Sequence, residues 1–331
     1  MISCREGKAV KNNTLSSAPP LRLGLIGAGR WGRNVIRAAG ALDGVRLTRV
    51  GSSNPQTAGL VGPGCIVCTD WQDALDPSAI DGVVIATPPA LHADMVRTAL
   101  ERDIPVLVEK PLTADWAEAE GIRELAKARQ GLVLVDHIHL FSPAFQALAE
   151  LAQAVGPIRA LRGRAGNFGP FREDVSVLWD WGPHDVSMAL ALLGGRPETV
   201  MARRLSRDEK GEVISLGLTF AGGVEAEFTL GNILPAKARM FAAHTDRLVL
   251  VYDDLAADKL TVHPPTAGFA DPTGPGEPIA ISPEPPLTIA LTTFAEAIRS
   301  NERATESLDL GVDVVAVLSA CEKALGESLS L

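Results

Sequence analysis

No stretch of the chain approaches the roughly 18 uninterrupted apolar residues that a membrane-spanning helix needs, so no membrane partner is expected. Cysteine is scarce, with four in 331 residues at positions 4, 65, 68 and 321. That is too few to staple a secreted fold and points to a reducing, cytoplasmic setting. No basic tract stands out. Lys and Arg total 31 against 40 acids, a net charge of −9. A face that displaces counterions from a duplex is missing, which argues against nucleic acid as a partner. Residues 1–20 are polar, end in Pro19-Pro20 and lack the apolar core of about 7–15 residues found in a signal peptide. They read as a flexible extension.

The chain has 46% hydrophobic and 21% charged residues, an ordinary globular composition. Its length suggests two domains at about 100–200 residues each. From Leu21 to Val135, short apolar strands alternate with helical stretches: 21–26, 45–50, 82–87, 105–109 and 132–135 against 33–42, 90–102 and 113–129. A further short strand is possible at 65–68. Apolar runs linked through helices belong to a doubly wound parallel sheet, placed at 21–137. The remainder, 138–331, reads differently. Helices at 143–155 and 183–193 flank a possible strand at 158–165. Extended segments then follow in close succession between 199 and 252, implying an antiparallel sheet. A Pro- and Gly-rich loop at 264–286 precedes two closing helices near 287–300 and 310–325.

Gly27-Ala28-Gly29-Arg30-Trp31-Gly32 fits G-x-G-x-x-G between a strand and a helix, the context this motif requires. Gly27 permits the tight turn, Gly29 lets the backbone approach a pyrophosphate, and Gly32 lets helix and strand pack closely. Arg30 and Trp31 open the helix and lie near the same ligand. An acid about 20 residues on usually binds the adenosine ribose of NAD, but here that position holds Ser52, followed by Ser53. No carboxylate is present to repel a 2′-phosphate, and small hydroxyls can bond one. The expected cofactor is therefore NAD(P), with a lean to NADP. Thr87, Pro88 and His92 after the fourth strand, and Glu109 and Lys110 after the fifth, sit where ligands bind in such sheets.

In the second half, Trp179-Asp180-Trp181-Gly182-Pro183-His184-Asp185 places Asp180 and His184 four apart, with Pro183 suited to the first turn of a helix. A carboxylate beside an imidazole makes a general acid/base pair. A capping Asp and a structural His fit the same pattern. His137 and His139 share a face of an extended segment and are candidates for substrate or cofactor contact. Cys65 and Cys68 lack the further ligands of a metal site and read as structural thiols, so no metal is expected.

Taken together, Gly27–Gly32, Ala86-Thr87-Pro88, Glu109-Lys110-Pro111, Asp180-x-Gly182-x-His184 and the linking segment Val135–Pro143 resemble the Gfo/Idh/MocA oxidoreductases over about residues 21–326. The resemblance implies an N-terminal Rossmann dinucleotide-binding domain and a C-terminal α/β domain with a large open, mainly antiparallel sheet. That sheet commonly joins subunits, so a homodimer or homotetramer is expected. The resemblance also implies hydride transfer between nicotinamide and a hydroxyl or ketone carbon of a sugar, cyclitol or nucleotide-sugar. Carried over, His184 is the acid/base, Lys110 bonds the reacting oxygen and the nicotinamide ribose, and Asp180 positions His184 or contacts substrate. The segment around Trp179–Asp185 looks most like members acting on nucleotide-linked sugars. Two rival readings remain. One is a non-catalytic dinucleotide sensor or regulator. The other is a reductase of a non-sugar small molecule, since one fold hosts many substrates.

Overall fold

The computed structural model describes residues 19–169, 171–172, 175–267, 276–303 and 305–327. Most of the proposed N-terminal extension, residues 1–18, and parts of the loops near 170–174 and 268–275 lie outside them. The chain divides into two compact units. One runs to Asp136 and includes Leu287–Val312, and the other comprises His137–Pro286 and the chain from Asp313 onward.

In the first unit the apolar runs become six parallel strands. The elements are β1 (Leu21–Ile26), α1 (Arg30–Ala41), β2 (Val45–Gly51), β3 (Ile66–Cys68), β4 (Gly82–Ile85), α2 (His92–Glu101), β5 (Val106–Glu109), α3 (Trp116–Arg129) and β6 (Val133–Asp136). The sheet order is β3-β2-β1-β4-β5-β6. All four residues of β4 are buried, as are the first three of β5, so the sheet is covered on both faces. The order reverses between β1 and β4, opening a crevice at the carboxyl ends of those strands.

The second unit begins with α4 (Pro143–Val155), β7 (Ile158–Phe168) and α5 (Val177–Leu193). It continues with β8 (Thr199–Arg207), β9 (Glu212–Phe220), β10 (Val224–Gly231), β11 (Ile233–Thr245), β12 (Val249–Asp253), β13 (Leu260–His263) and β14 (Glu277–Pro278). The strands form one eight-stranded sheet in the order β14-β13-β12-β11-β7-β10-β9-β8. Neighbours are antiparallel except β7 and β10, which run parallel from Ala160↔Glu225 to Gly166↔Gly231. Burial alternates along β9, the signature of a sheet with one packed face.

Two differences from the sequence reading bear on the site. Among the extended segments between 199 and 252, the longest is a 13-residue strand, β11, that runs without a break from Ile233 to Thr245. Helix α5 starts at Val177, six residues before Pro183, which therefore lies inside the helix and not in its first turn. Ser176 caps it by accepting the Trp179 N–H. Val177, Leu178, Trp179, Trp181 and Gly182 are buried, and that burial outweighs the helix hydrogen bond lost at proline.

The closing helices are α6 (Pro286–Arg299) and α7 (Glu306–Glu327). Leu291, Phe294, Ala295 and Ala297 of α6 join Leu23, Leu25, Val84 and Leu107 in one apolar core of the first unit. The start of α7 packs there too, with Ser307 Oγ accepting the Val135 N–H at 3.0 Å. Its later turns belong to the second unit, where Trp179 Nε1 donates to Glu322 Oε1 at 2.9 Å.

Candidate active site

In the first unit the glycine turn follows β1 directly. Gly27 has φ +95°, and a Cβ there would lie 2.6 Å from the Ala86 carbonyl oxygen. A Cβ on Gly32 would sit 1.9 Å from the Gly27 carbonyl oxygen, so only glycine lets α1 start this close to the strand. Gly29 differs, because a Cβ there would meet nothing within 4 Å. The open space lies at the N-terminus of α1, which has no side-chain cap and whose first-turn amides lack helical partners. An open cradle of N–H groups at the positive end of a helix fits a pyrophosphate. Arg30 beside it is exposed and Trp31 is half-buried.

At the end of β2, Ser52 Oγ is 2.8 Å from Thr57 Oγ1 and accepts the Asn54 N–H at 3.2 Å. Ser53 is exposed. Arg49, near this end of β2, turns to Asp76 at 3.6 Å. At β3 next door, burial pushes up the thiols of Cys68 on the strand and Cys65 just before it, keeping them protonated.

After β4, Thr87 Oγ1 donates to Met95 Sδ at 3.4 Å and Pro88 leads exposed into the next turn. His92 was expected to face the cofactor. Instead it is completely buried, with Nδ1 2.9 Å from the Pro111 carbonyl and Nε2 2.9 Å from the Thr87 carbonyl. It therefore ties together the two turns that carry Thr87 and Lys110. Burial pushes its pKa down, against the two carbonyls, which favour the charged ring. The Lys110–Pro111 peptide is cis.

Glu109 on β5 pairs across the sheet with Asp136 on β6. Glu109 Oε1 and Asp136 Oδ1 are enclosed without hydrogen-bond partners. Burial, and for Glu109 also the Asp136 charge, push both carboxyls up. Two buried carboxyls this close hold a shared proton more easily than two charges. A partly protonated acid pair thus underlies Lys110, a feature the sequence reading missed because Asp136 seemed only the last residue of a strand.

In the second unit, Asp180 and His184 lie one turn apart on α5. Asp180 accepts from Arg172 Nη1 at 3.2 Å. Gly182 between them packs closely on Leu318, since a Cβ would come within 2.7 Å of that side chain. His184 is half-buried and lines a small cavity with His139, Asp185, Arg239, Phe241 and Tyr252. The His139 and His184 rings meet edge to face with centroids 4.8 Å apart. The Arg239 guanidinium lies 3.8 Å from the centre of the Trp181 ring, a stacked cation–π arrangement. Asp185 is 2% exposed, and burial pushes its carboxyl up to about 7 although Arg239 pulls it down. Asp185, Arg239 and Tyr252 were not anticipated. Arg239 and Tyr252 come from distant strands, and Asp185 reads as an ordinary helix acid.

The profile of an oxidoreductase family with an NAD-binding Rossmann fold matches residues 21–137, and that family's C-terminal domain matches 145–251. The chain belongs to the Gfo/Idh/MocA family. It is thus an enzyme of the oxidoreductase class. Among its relatives is the UDP-N-acetylglucosamine 3-dehydrogenase of Acidithiobacillus ferrooxidans, 28% identical over 66% of this chain and 69% of the relative. Another is an inositol 2-dehydrogenase of Leifsonia xyli, 34% identical over 45% of this chain, where the match spans 46% of the relative. A crystal structure from Magnetospirillum magnetotacticum, described only as an oxidoreductase, superposes with a TM-score of 0.86 at 45% identity. It covers 91% of this chain and 99% of that one.

Proposed function

We propose that this family member is a dehydrogenase or reductase working at one hydroxyl or ketone carbon of a sugar, cyclitol or nucleotide-linked sugar, with NADP as the preferred dinucleotide. The observation that carries the reading is the placement of Asp180 and His184 one turn apart on α5, with His184 at a cavity, in a chain that also carries the glycine cradle and Lys110. A dinucleotide sensor needs only the cradle.

When bound, the nicotinamide supplies the hydride donor or acceptor. The first-turn amides of α1 hold the pyrophosphate, and Gly29 leaves room for it. His184 takes the hydroxyl proton as the carbon is oxidised and returns it on reduction. Lys110 hydrogen-bonds the reacting oxygen, and its cation favours negative charge growing there. Asp180 positions His184. The lean to NADP rests on Ser52 and Ser53 in place of an acid, with Arg30 free to approach a 2′-phosphate. The exposed Met201 and Leu205 on the edge strand β8 support a homo-oligomer.

Lys110→Ala and His184→Ala are each expected to lower turnover by about 10²–10⁴-fold while dinucleotide affinity stays within a few-fold of wild type. Turnover on a panel of sugars, cyclitols and nucleotide-sugars, followed by NAD(P)H absorbance, reads the first. Quenching of tryptophan fluorescence reads the second. Wild-type turnover in either variant would remove that residue from the mechanism.

A further inference from the structure

We propose that His139, held by Tyr252, is a positioning residue for His184 and that the pair sets both the ring plane and the proton affinity of the acid/base. This rests on the reading of His184 given above.

His139 lies in the short turn Ile138–Phe141, and its ring touches two others. It meets His184 at 4.8 Å with an interplanar angle of 83°, and Tyr252 at 5.7 Å with an angle of 70°. Its Nδ1 is 2.8 Å from the Tyr252 hydroxyl. All three line the same cavity. Tyr252 is the only tyrosine of the chain and is 1% exposed. Burial, with the Asp254 carboxylate beside it, pushes the phenol up, so the hydroxyl keeps its proton throughout the working range of an enzyme. Ser142 and Asp254 also bond that hydroxyl, and with its proton given to Asp254 the phenol oxygen accepts from His139 Nδ1–H. This order puts the proton of the neutral His139 ring on Nδ1.

The consequence for His184 is electrostatic as well as steric. An acid/base residue alternates between neutral ring and cation. A second cation 4.8 Å away would oppose that cycle, whereas a neutral, electron-rich imidazole favours the charged form of its neighbour. Tyr252 holds the His139 ring against His184. The other charges around this cavity are Arg239 from β11 and the carboxylates that act on it, Asp180 and Asp185 from α5 and Asp254 just after β12. None of these is supplied by the turn that carries His139.

The test compares wild type, His139→Leu and Tyr252→Phe, the last removing only a hydroxyl from a buried ring. Histidine-labelled protein gives a resolvable NMR titration because the chain has six histidines, and the His184 signal is assigned by its loss in His184→Gln. Both variants should lower the His184 midpoint by about 0.5–1 pH unit. The acid limb of the kcat profile should move with it. His139→Leu should lower kcat by about 10–100-fold and Tyr252→Phe by less, with KM little changed. An unmoved or raised His184 midpoint in both variants, with only stability or KM altered, would overturn the proposal. Failure of the underlying reading is separate. It would appear as turnover surviving in His184→Gln, while the NMR arm still reports whether His139 governs the state of His184.

Discussion

Asp185→Asn should make the protein more stable above neutral pH and nearly unchanged in acid. Asp185 sits directly after His184, 2% exposed, with Oδ2 enclosed and without a hydrogen-bond partner. Gly163 on β7 faces it, and a Cβ there would lie 2.4 Å from Oδ1, so the carboxyl fills the space a side chain would take. Burial lifts the carboxyl from 3.8 to about 7, net of the pull from Arg239. In the unfolded chain the group ionises near 4, whereas in the folded chain it holds its proton up to about 7. Its contribution is fully present below about pH 4 and is lost as pH rises to about 7. About three pH units at 1.4 kcal/mol each give a loss of about 4 kcal/mol. The raised Glu109 and Asp136 carboxyls tilt the wild-type curve in the same direction, so the difference between wild type and variant is what isolates Asp185. Urea unfolding followed by tryptophan fluorescence reads the second unit through Trp179 and Trp181. The variant should gain about 1 kcal/mol at pH 4.5 and about 4 kcal/mol at pH 8. The refuting result has the opposite sign. If Asp185 and Arg239 formed a working buried ion pair, the substitution would strand a charge and cost about 3–5 kcal/mol at pH 8.

Two glycines of the turn should separate folding from binding. Gly29→Ala should melt within about 1 kcal/mol of wild type yet bind dinucleotide at least about tenfold more weakly, because its methyl meets only the open space proposed for the pyrophosphate. Gly32→Ala should lose stability outright by about 1–3 kcal/mol, as its methyl would meet the Gly27 carbonyl; thermal melts and fluorescence titrations read both. Ser52→Asp should weaken NADPH by more than about tenfold while sparing NADH, and equal affinity for both before and after would refute the assignment of cofactor preference to this position. Gln130→Gly should stabilise by about 0.5–1 kcal/mol in chemical unfolding, since Gln130 ends α3 at φ +54°, a conformation that suits glycine, and loses only an exposed contact to Arg303.

What the sequence disclosed follows from the range of the interactions involved. β1, β4 and β5 are legible because apolar residues buried on both faces leave an unbroken run. The glycine turn is legible because its constraints are local: a side chain at Gly32 would clash with a carbonyl five residues away. Asp180 and His184 are legible because one helical turn joins them. Other features were hidden because their cause lies far along the chain. Pro183 looked like a helix start, yet Ser176 and the packing of Gly182 against Leu318 carry the helix through it. The return of residues 287–312 to the first unit depends on Phe294 finding the core around Leu23 and Val84, which no spacing within α6 announces. The Glu109–Asp136 pair depends on the register of two strands 27 residues apart.

The same distinction orders the candidate residues by role. Side chains readable from short motifs are those that would touch ligand: the glycines, Lys110, Asp180 and His184. Those that only the fold reveals act on these. His92 ties the turns bearing Thr87 and Lys110, the Glu109–Asp136 pair places acid charge under Lys110, and Tyr252 reaches His184 through His139. A ligand-contacting group must appear at a fixed place in one local element, so it leaves a local pattern. A supporting group need only arrive at the right point in space, from any strand. The chemistry of this protein is therefore written in its motifs, while the tuning of that chemistry is written in its strand pairings.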